Sequence, residues 1–223
     1  MKLATITIAY NPNIEELRQN IASYAGLSDV FILWDNSEKP LDLSNIKADF
    51  PHTIIHQDGI NHGLPHAYNW AIDYALEHNC THLMTMDQDS QFERFHEYYQ
   101  WVATKGHNGI SSCAINQTQP TQEECTLIND SAQSSSIFPL SMIKEIGPFR
   151  EDLFISMVDA EMCLRAQEHN YRTLQYNKSN LIHHIGGERS VCFMGHHTYV
   201  SDYNPLRHYY DSRNRILMWH EFP

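Results

Sequence analysis

The run His82-Leu83-Met84-Thr85-Met86-Asp87-Gln88-Asp89-Ser90 organises the rest of the chain. His82–Met86 is almost wholly apolar, which predicts a central strand, and it breaks directly into paired acids. Upstream, Leu3–Ala9 reads as a buried strand, β-branched at Thr5, Ile6, Thr7 and Ile8. Asn11-Pro12-Asn13 supplies turn and cap chemistry, and Ile14, Leu17, Ile21 and Tyr24 follow at helical spacing. Val30–Trp34 is a second strand closed by Asp35-Asn36-Ser37, and Thr53–Gln57 a third. Asn61-His62-Gly63 is a turn, Pro65 suits a first helical turn, and Ala67, Trp70, Ala71, Tyr74 and Ala75 make that helix's stripe. Phe92–Lys105 reads as a further helix. Alternating strands and helices predict an α/β fold with a parallel sheet. Ligands then bind beyond the strands' carboxyl ends, at Tyr10-Asn11, Asp35-Asn36 and Asp87 to Ser90.

The second half is less regular. Gln117 to Glu124 is a polar turn region, and Ser131 to Ser136 is small and polar. Asp159 to His169 predicts a helix, Arg172 to His184 an extended segment, Gly186 to Ser201 a mobile loop, and Pro205 to Trp219 a final helix. With no repeat, low-complexity tract or clear linker, residues 1–223 read as one domain.

The chain has 15 basic and 27 acidic residues, a net charge of −12, which argues against a duplex nucleic-acid binder. Residues 1–143 carry 6 basic and 17 acidic groups, residues 144–223 carry 9 and 10, so cations are concentrated in the back half. The five cysteines are odd in number and form no CxxC, which fits a reducing cytoplasm. The 15 histidines show no HExxH and no Cys/His ligand spacing, so most read as surface or hydrogen-bonded core residues. The apolar runs are far below the ~20 residues of a membrane helix. Leu3–Ala9 is too short for a signal peptide and lacks a cleavage site.

Asp87 and Asp89, two apart on an extended chain, point the same way and form a hard oxygen site suited to Mg²⁺ or Mn²⁺. Such triplets also occur in surface turns; the apolar strand before this one favours a site. Asp159 and Glu161 lie about 200° apart on a helix and cannot share a face. Glu161 precedes Arg165 by four residues, the favourable order for a helical ion pair. Asp159 has no such partner and is either an N-terminal cap or a general base. His183 and His184 leave opposite faces of an extended segment, so at most one faces a given site. Leu206, Tyr210, Arg213 and Leu217 form a helical stripe with Arg213 inside it. Its guanidinium needs an anionic partner, an internal carboxylate or a bound phosphate.

Taken in order, Tyr10-Asn11-Pro12, Asp35-Asn36-Ser37, Asn61-x-Gly63 with Ala67 and Asn69, and Asp87-Gln88-Asp89-Ser90 resemble the inverting family 2 glycosyltransferases of GT-A fold. The stretch Phe154-Ile155-x-x-Val158-Asp159-x-Glu161-x-Cys163-Leu164-Arg165, then His183-x-x-Gly186 and Arg207-x-Tyr209-Tyr210-x-x-Arg213-Asn214, extend the resemblance over nearly the whole chain. The set is similar to bacterial rhamnosyltransferase-type enzymes that build surface polysaccharides. The resemblance implies a Rossmann-like, mostly parallel central sheet flanked by helices, with 1–115 as the nucleotide-binding half and 116–223 as the acceptor and catalytic half. It implies Tyr10 and Asn11 bordering the nucleotide, Asp35 accepting from the base, and Asn61 and Gly63 lining the nucleoside pocket, with Asn69 and Gln88 also on the donor side. Asp87, Asp89 and His183 would hold a divalent metal, Mn²⁺ or Mg²⁺. Asp159 would be the catalytic base, and Arg213 with Asn214 would meet the diphosphate.

The implied reaction moves a sugar from a nucleoside diphosphate to a hydroxyl of a glycan or lipid-linked glycan acceptor. The enzyme would be cytoplasmic, with peripheral association at the inner membrane surface. dTDP-rhamnose is the donor expected first, UDP-hexose or UDP-galactofuranose second. Ser156, Met162 and Gln133-Ser134-Ser135 depart from the family's usual Asp, Trp and Ser-Gly on the acceptor side. A sugar-1-phosphate nucleotidylyltransferase is disfavoured, because Ala9 to Asn13 contains no glycine for a phosphate loop. A degenerate transferase kept as a binding module is the other alternative.

Overall fold

Leu3–Ala9 forms β1, and every residue of it is buried. The structure, a computed structural model, describes residues 1–105, 108–119, 121–183, 188–193, 195–201 and 203–222. After β1 come α1 (Ile14–Ala22), β2 (Val30–Asp35), α2 (Ser44–Asp49), β3 (Ile54–Gln57), α3 (Leu64–Glu77) and β4 (His82–Asp87). Then follow β5 (Ser90–Glu93), α4 (Phe95–Lys105), β6 (Ile110–Ile115), β7 (Cys125–Ile128), β8 (Ile137–Pro139) and α5 (Leu140–Ile146). The chain closes with α6 (Val158–Glu168), β9 (Thr173–His183), β10 (Glu188–Phe193), β11 (His196–Ser201) and α7 (Pro205–Glu221).

β1 is buried throughout because the sheet is covered on both faces, and the pleat divides its side chains. Ala4, Ile6 and Ile8 pack with Ala67, Tyr68 and Ala71 of α3, Met142 of α5 and Met162 of α6. Leu3 and Ala9 pack on the other side with Leu17 and Ile21 of α1 and Phe95, Tyr98 and Trp101 of α4. Thr5 and Thr7 lie within hydrogen-bond distance of the Ser28 and Tyr24 hydroxyls, at 2.7 and 2.8 Å.

The main sheet runs β3-β2-β1-β4-β8-β6-β9-β5, with β7 also on β9. Its first four strands are parallel, as the alternating pattern predicts. β8 is antiparallel to β4 and β6, while β9 runs parallel to β6 and antiparallel to β5 and β7. Ile8 lies opposite Asp87, and Ala9 opposite Asp35, so the carboxyl ends of β1, β2 and β4 meet at one edge.

Three expectations about elements are corrected. Phe92 is in strand β5, opposite Leu181 of β9, and the helix starts only after Arg94, whose φ is +61°. The loop expected from Gly186 to Ser201 contains a strand pair, since Glu188–Phe193 and His196–Ser201 form an antiparallel ladder. Gly186 and Gly187 lie outside the described residues, as does His184. On α7 the buried residues are Asn214 and Met218, while Leu206 is 55% exposed. The apolar stripe drawn through Leu206 and Arg213 is therefore not the buried face. No helix among the described residues is long and apolar enough to cross a membrane. The five cysteines are unbridged.

Candidate active site

The Asp87–Ser90 turn is fixed before any ligand arrives. The Tyr10 N–H donates to Gln88 Oε1 at 2.7 Å, and Gln88 Nε2 donates back to the Tyr10 carbonyl at 3.3 Å. Asn20 Nδ2 donates to the Gln88 carbonyl at 2.9 Å. From beneath, the Asp87 N–H donates to Ser134 Oγ at 3.2 Å, and Ser134 Oγ donates to Ser90 Oγ at 2.7 Å. The small polar run Ser131 to Ser136 is thus a buried support, with Gln133 Nε2 donating to Thr85 Oγ1 at 3.0 Å. Short hydroxyl side chains suit this place because they satisfy a strand end without filling the cavity above it.

Asp87, Asp89 and His183 each present a ligand atom, and these atoms lie within 4.8 Å of one another. His183 Nδ1 is 3.5 Å from Asp89 Oδ1 and 2.7 Å from Ser90 Oγ. Burial pushes the Asp87 carboxyl up to about 7, and the Asp89 and Asp159 charges push the same way, with Arg207 opposing them. Crowded carboxylates of this kind are relieved by a cation, and two carboxylates with one imidazole fit Mn²⁺ or Mg²⁺.

Asp159 is the second residue of α6 and its Oδ1 accepts from the Ala160 N–H at 2.9 Å. Burial raises its pKa above that of an ordinary aspartate. It does not cap the helix: Met157 occupies that position, with φ +62°. Phe154 and Ser156 also have positive φ, +60° and +65°. Such conformations cost roughly 1–3 kcal/mol each in a residue with a side chain. The segment is held by Asn214, fully buried on α7, whose amide donates to the carbonyls of Leu153, Ile155 and Ser156 at 2.9 Å each. On its other side the Leu64 N–H donates to the Phe154 carbonyl at 2.8 Å. Gly63 makes that approach feasible, because a Cβ there would lie 2.6 Å from the Phe154 oxygen.

These pieces surround a cavity of about 450 Å³, within the ordinary range for small-molecule sites. It is lined by Tyr10, Asn36, Asn61 and Gly63, by Asp87, Gln88, Asp89 and His183, and by Phe154, Ser156 and Asp159, with Gly63 and Phe154 in contact. Tyr203, Asn204, Leu206 and Arg207 close it from the start of α7. A second depression, lined by Met157, His208, Asp211 and Arg215, shares Ser156, Asp159, Tyr203 and Arg207 with the first.

Other residues expected in the site lie outside this cavity. Asp35 is fully buried, its carboxylate accepting from the N–H groups of Ser37 and Leu41 and from Gln57 Nε2. Asn11, at φ +47°, donates its N–H to Ser37 Oγ beside the Tyr10 wall. Asn69 clamps α3 to the segment before α6, giving Nδ2 to the Phe149 carbonyl and accepting the Phe149 N–H, both at 2.9 Å. Asn214 is the clamp described above. Arg213 donates to the Asp152 carbonyl and to Asn214 Oδ1, and lies over the Tyr210 ring at 4.8 Å. Among the described residues, the arginine that lines the cavity is Arg207, which helical spacing does not single out. Glu161 and Arg165 form the expected ion pair at 2.8 Å, and Arg165 also holds the carbonyls of Ile146, Gly147 and Pro148.

No protein-family model matches the chain. It is 24% identical over 241 residues to the dTDP-rhamnosyl transferase RfbF of Shigella flexneri, covering 96% of this chain and 78% of that protein. Among solved structures it is similar to GalNAc-T7 with UDP, GalNAc and Mn²⁺, with TM-score 0.68, 11% identity, and coverage of 82% of this chain and 43% of that one. It is also similar to residues 1–349 of S. aureus TarS in complex with UDP, with TM-score 0.61, 14% identity, and coverage of 83% and 61%. The chain thus spans less than two thirds of each of these solved chains. What they share with it is the curled α/β architecture, and the fold of this chain is accordingly GT-A, that of nucleotide-sugar glycosyltransferases.

Proposed function

We propose that this chain is an inverting glycosyltransferase of the family 2 type, moving a sugar from a nucleoside diphosphate to a hydroxyl of a glycan or lipid-linked glycan. The observation that carries the reading is the cavity in which a two-carboxylate, one-histidine cluster and an elevated carboxyl, Asp159, share one space beyond the strands' carboxyl ends. Asp87, Asp89 and His183 would hold Mn²⁺ or Mg²⁺, which supplies neutralising charge for a diphosphate when bound. Asp159 takes the acceptor proton as the new bond to the anomeric carbon forms. Arg207, facing the same cavity, meets the negative charge that grows on the departing diphosphate. Attack from the face opposite the leaving group, in one step, inverts the anomeric centre.

The depression sharing Asp159 with the donor cavity gives the acceptor its approach. Leu206, which lines the cavity, and Tyr209, three residues on along α7, are both exposed and would suit contact with a lipid-linked glycan. That acceptor places the enzyme in the cytoplasm at the inner membrane surface, in cell-envelope polysaccharide synthesis. The similarity to a dTDP-rhamnosyl transferase favours dTDP-rhamnose as donor. The UDP complexes among the structural neighbours favour a UDP-hexose or UDP-galactofuranose as the second reading.

A thermal-shift screen of nucleotide sugars with Mn²⁺ tests the donor, because a ligand that binds only the folded state raises its melting temperature. Stabilisation by dTDP-rhamnose, then release of dTDP with an acceptor extract, is the expected result. Stabilisation without any nucleoside diphosphate release would make the chain a binding module. No stabilisation by any nucleotide sugar would reject the reading.

A further inference from the structure

A second cluster of metal-ligating side chains stands apart from Asp87, Asp89 and His183. His56 is the last residue but one of β3, Asp58 follows in the loop, and His62 precedes α3; their ligand atoms lie within 4.8 Å of one another. Asp58 is at the hub. Its Oδ1 accepts the Ile60 N–H at 3.0 Å, which aims Oδ2 at both imidazoles, 2.7 Å from His62 Nε2 and 3.6 Å from His56 Nε2. His56 is held in place, stacked on Trp34 with ring centroids 3.7 Å apart. Its Nε2 is buried and has no hydrogen-bond partner among the described residues. A buried imidazole nitrogen left unsatisfied beside a carboxylate is a cost that a shared cation removes.

We propose that His56, Asp58 and His62 bind a borderline transition-metal ion of the Zn²⁺ class, a cation site separate from the donor cavity. Two imidazoles and one carboxylate match zinc-type chemistry, which takes nitrogen and oxygen ligands at about 2.0–2.2 Å and leaves a fourth position for water. Neighbouring ligand atoms of a tetrahedral ion then lie roughly 3.3 Å apart, between the two separations seen here. The acidic cluster at Asp87 is harder and richer in oxygen, so the two sites sort cations by softness. The spacing H-x-D-x₃-H matches none of the common zinc motifs, so spacing alone does not reveal it.

The site also has a mechanical consequence. The His62 N–H donates to Asn36 Oδ1 at 3.2 Å, Asn36 Nδ2 donates to the Gly63 carbonyl at 3.2 Å, and Trp34 Nε1 donates to Asn36 Oδ1 at 2.9 Å. Asn36, Asn61 and Gly63 line the donor cavity. A cation that fixes His56 against His62 therefore stiffens that wall from behind.

The test is metal titration of the full chain with excess Mg²⁺ present to occupy the acidic cluster. Zn²⁺ is measured by calorimetry, and Co²⁺ by its visible absorption. Expected are one tight equivalent of Zn²⁺ and a Co²⁺ band in the wild type. Both should weaken by at least roughly 10- to 100-fold in His62→Gln and Asp58→Asn and persist in Asp89→Asn. Thermal melts without metal, unchanged in Asp58→Asn or His62→Gln, exclude misfolding as the cause. Binding untouched by both substitutions, or lost in Asp89→Asn alone, would overturn the proposal; so would the absence of a tight equivalent in the wild type. A failed donor screen leaves this result standing, because the titration uses no nucleotide.

Discussion

Ser90 lies directly opposite His183 in the antiparallel ladder between β5 and β9, with Ser90 Oγ 2.7 Å from His183 Nδ1. The histidine therefore joins Asp87 and Asp89 through strand register, across 93 residues of chain. A slip of one residue in β9 would send its side chain to the other face. Ser134 donates to Ser90 in turn, so the histidine is oriented by a buried hydroxyl relay. Supporting contacts of this kind typically govern metal affinity by ~10–100-fold. Ser90→Ala is expected to weaken Mn²⁺ binding by about tenfold with little change in melting temperature, as read by calorimetry. Asp89→Ala should instead abolish the Mn²⁺ dependence of nucleotide binding. Unchanged nucleotide affinity in Mn²⁺ would remove Asp89 from the metal site.

Asp159 makes opposite predictions for activity and for stability. Asp159→Asn should lower turnover by roughly 10²–10⁴-fold with donor binding retained. The base works only when ionised, and burial raises its pKa, so the acid limb of the rate profile should lie above that of a free aspartate. For stability the sign reverses. A folded-state pKa above the unfolded one contributes stability that is present below about 3.8 and is lost as pH rises through the folded value. At neutral pH the asparagine variant should therefore melt no lower than wild type, and the difference should shrink on acidification. A melting curve that falls in the variant at pH 7 would contradict the burial argument.

The two arginines of α7 separate cavity from scaffold. Arg207 lines the cavity and opposes the elevated pKa of Asp87, whereas Arg213 is spent on the Asp152 carbonyl and Asn214. Arg207→Gln is expected to cost donor affinity on the order of tenfold, in line with a charge-assisted hydrogen bond worth about 1.5–3 kcal/mol. Arg213→Gln should leave donor affinity within about twofold and lower the melting temperature instead. Paired titrations with the nucleoside diphosphate decide between them, and the reverse ranking would restore Arg213 as the diphosphate contact.

What the sequence exposes follows from how local each signal is. β1 to β4, the Asp87–Asp89 pair and the Glu161–Arg165 bridge each rest on residues within one element or its adjoining turn, so periodicity and spacing suffice. Asn69 and Asn214 bond to carbonyls 80 and 61 positions away, and nothing near them in the chain separates a clamp from a ligand contact. The buried face of α7 is misread for a related reason. Amphipathic reasoning equates burial with apolarity, yet a fully buried amide replaces an apolar residue where a strained loop needs its carbonyls satisfied. Asp35 shows the converse, a strand-end acid turned inward onto its own loop.

Asn214 gives the sharpest test of how the site is built. Its amide holds three carbonyls of a segment with three residues at positive φ, and that segment leads directly into Asp159. Asn214→Ala removes the side-chain donor from all three carbonyls, of which the Leu153 oxygen keeps the Ile155 N–H, at a stability cost of about 1–3 kcal/mol. The larger effect should be on turnover. With its clamp gone, the segment can relax toward negative φ, and Asp159 then no longer meets the acceptor in register with the donor. Turnover should fall at least tenfold, while the donor's Kd, set mainly by the Asp87, Asp89 and His183 cluster and Arg207, should stay within about threefold. Asn214→Asp keeps the shape but replaces an N–H donor by a carboxylate, and should fail likewise. If turnover falls only in step with stability, and recovers at low temperature, Asn214 is a packing residue and Asp159 is positioned by α6 itself.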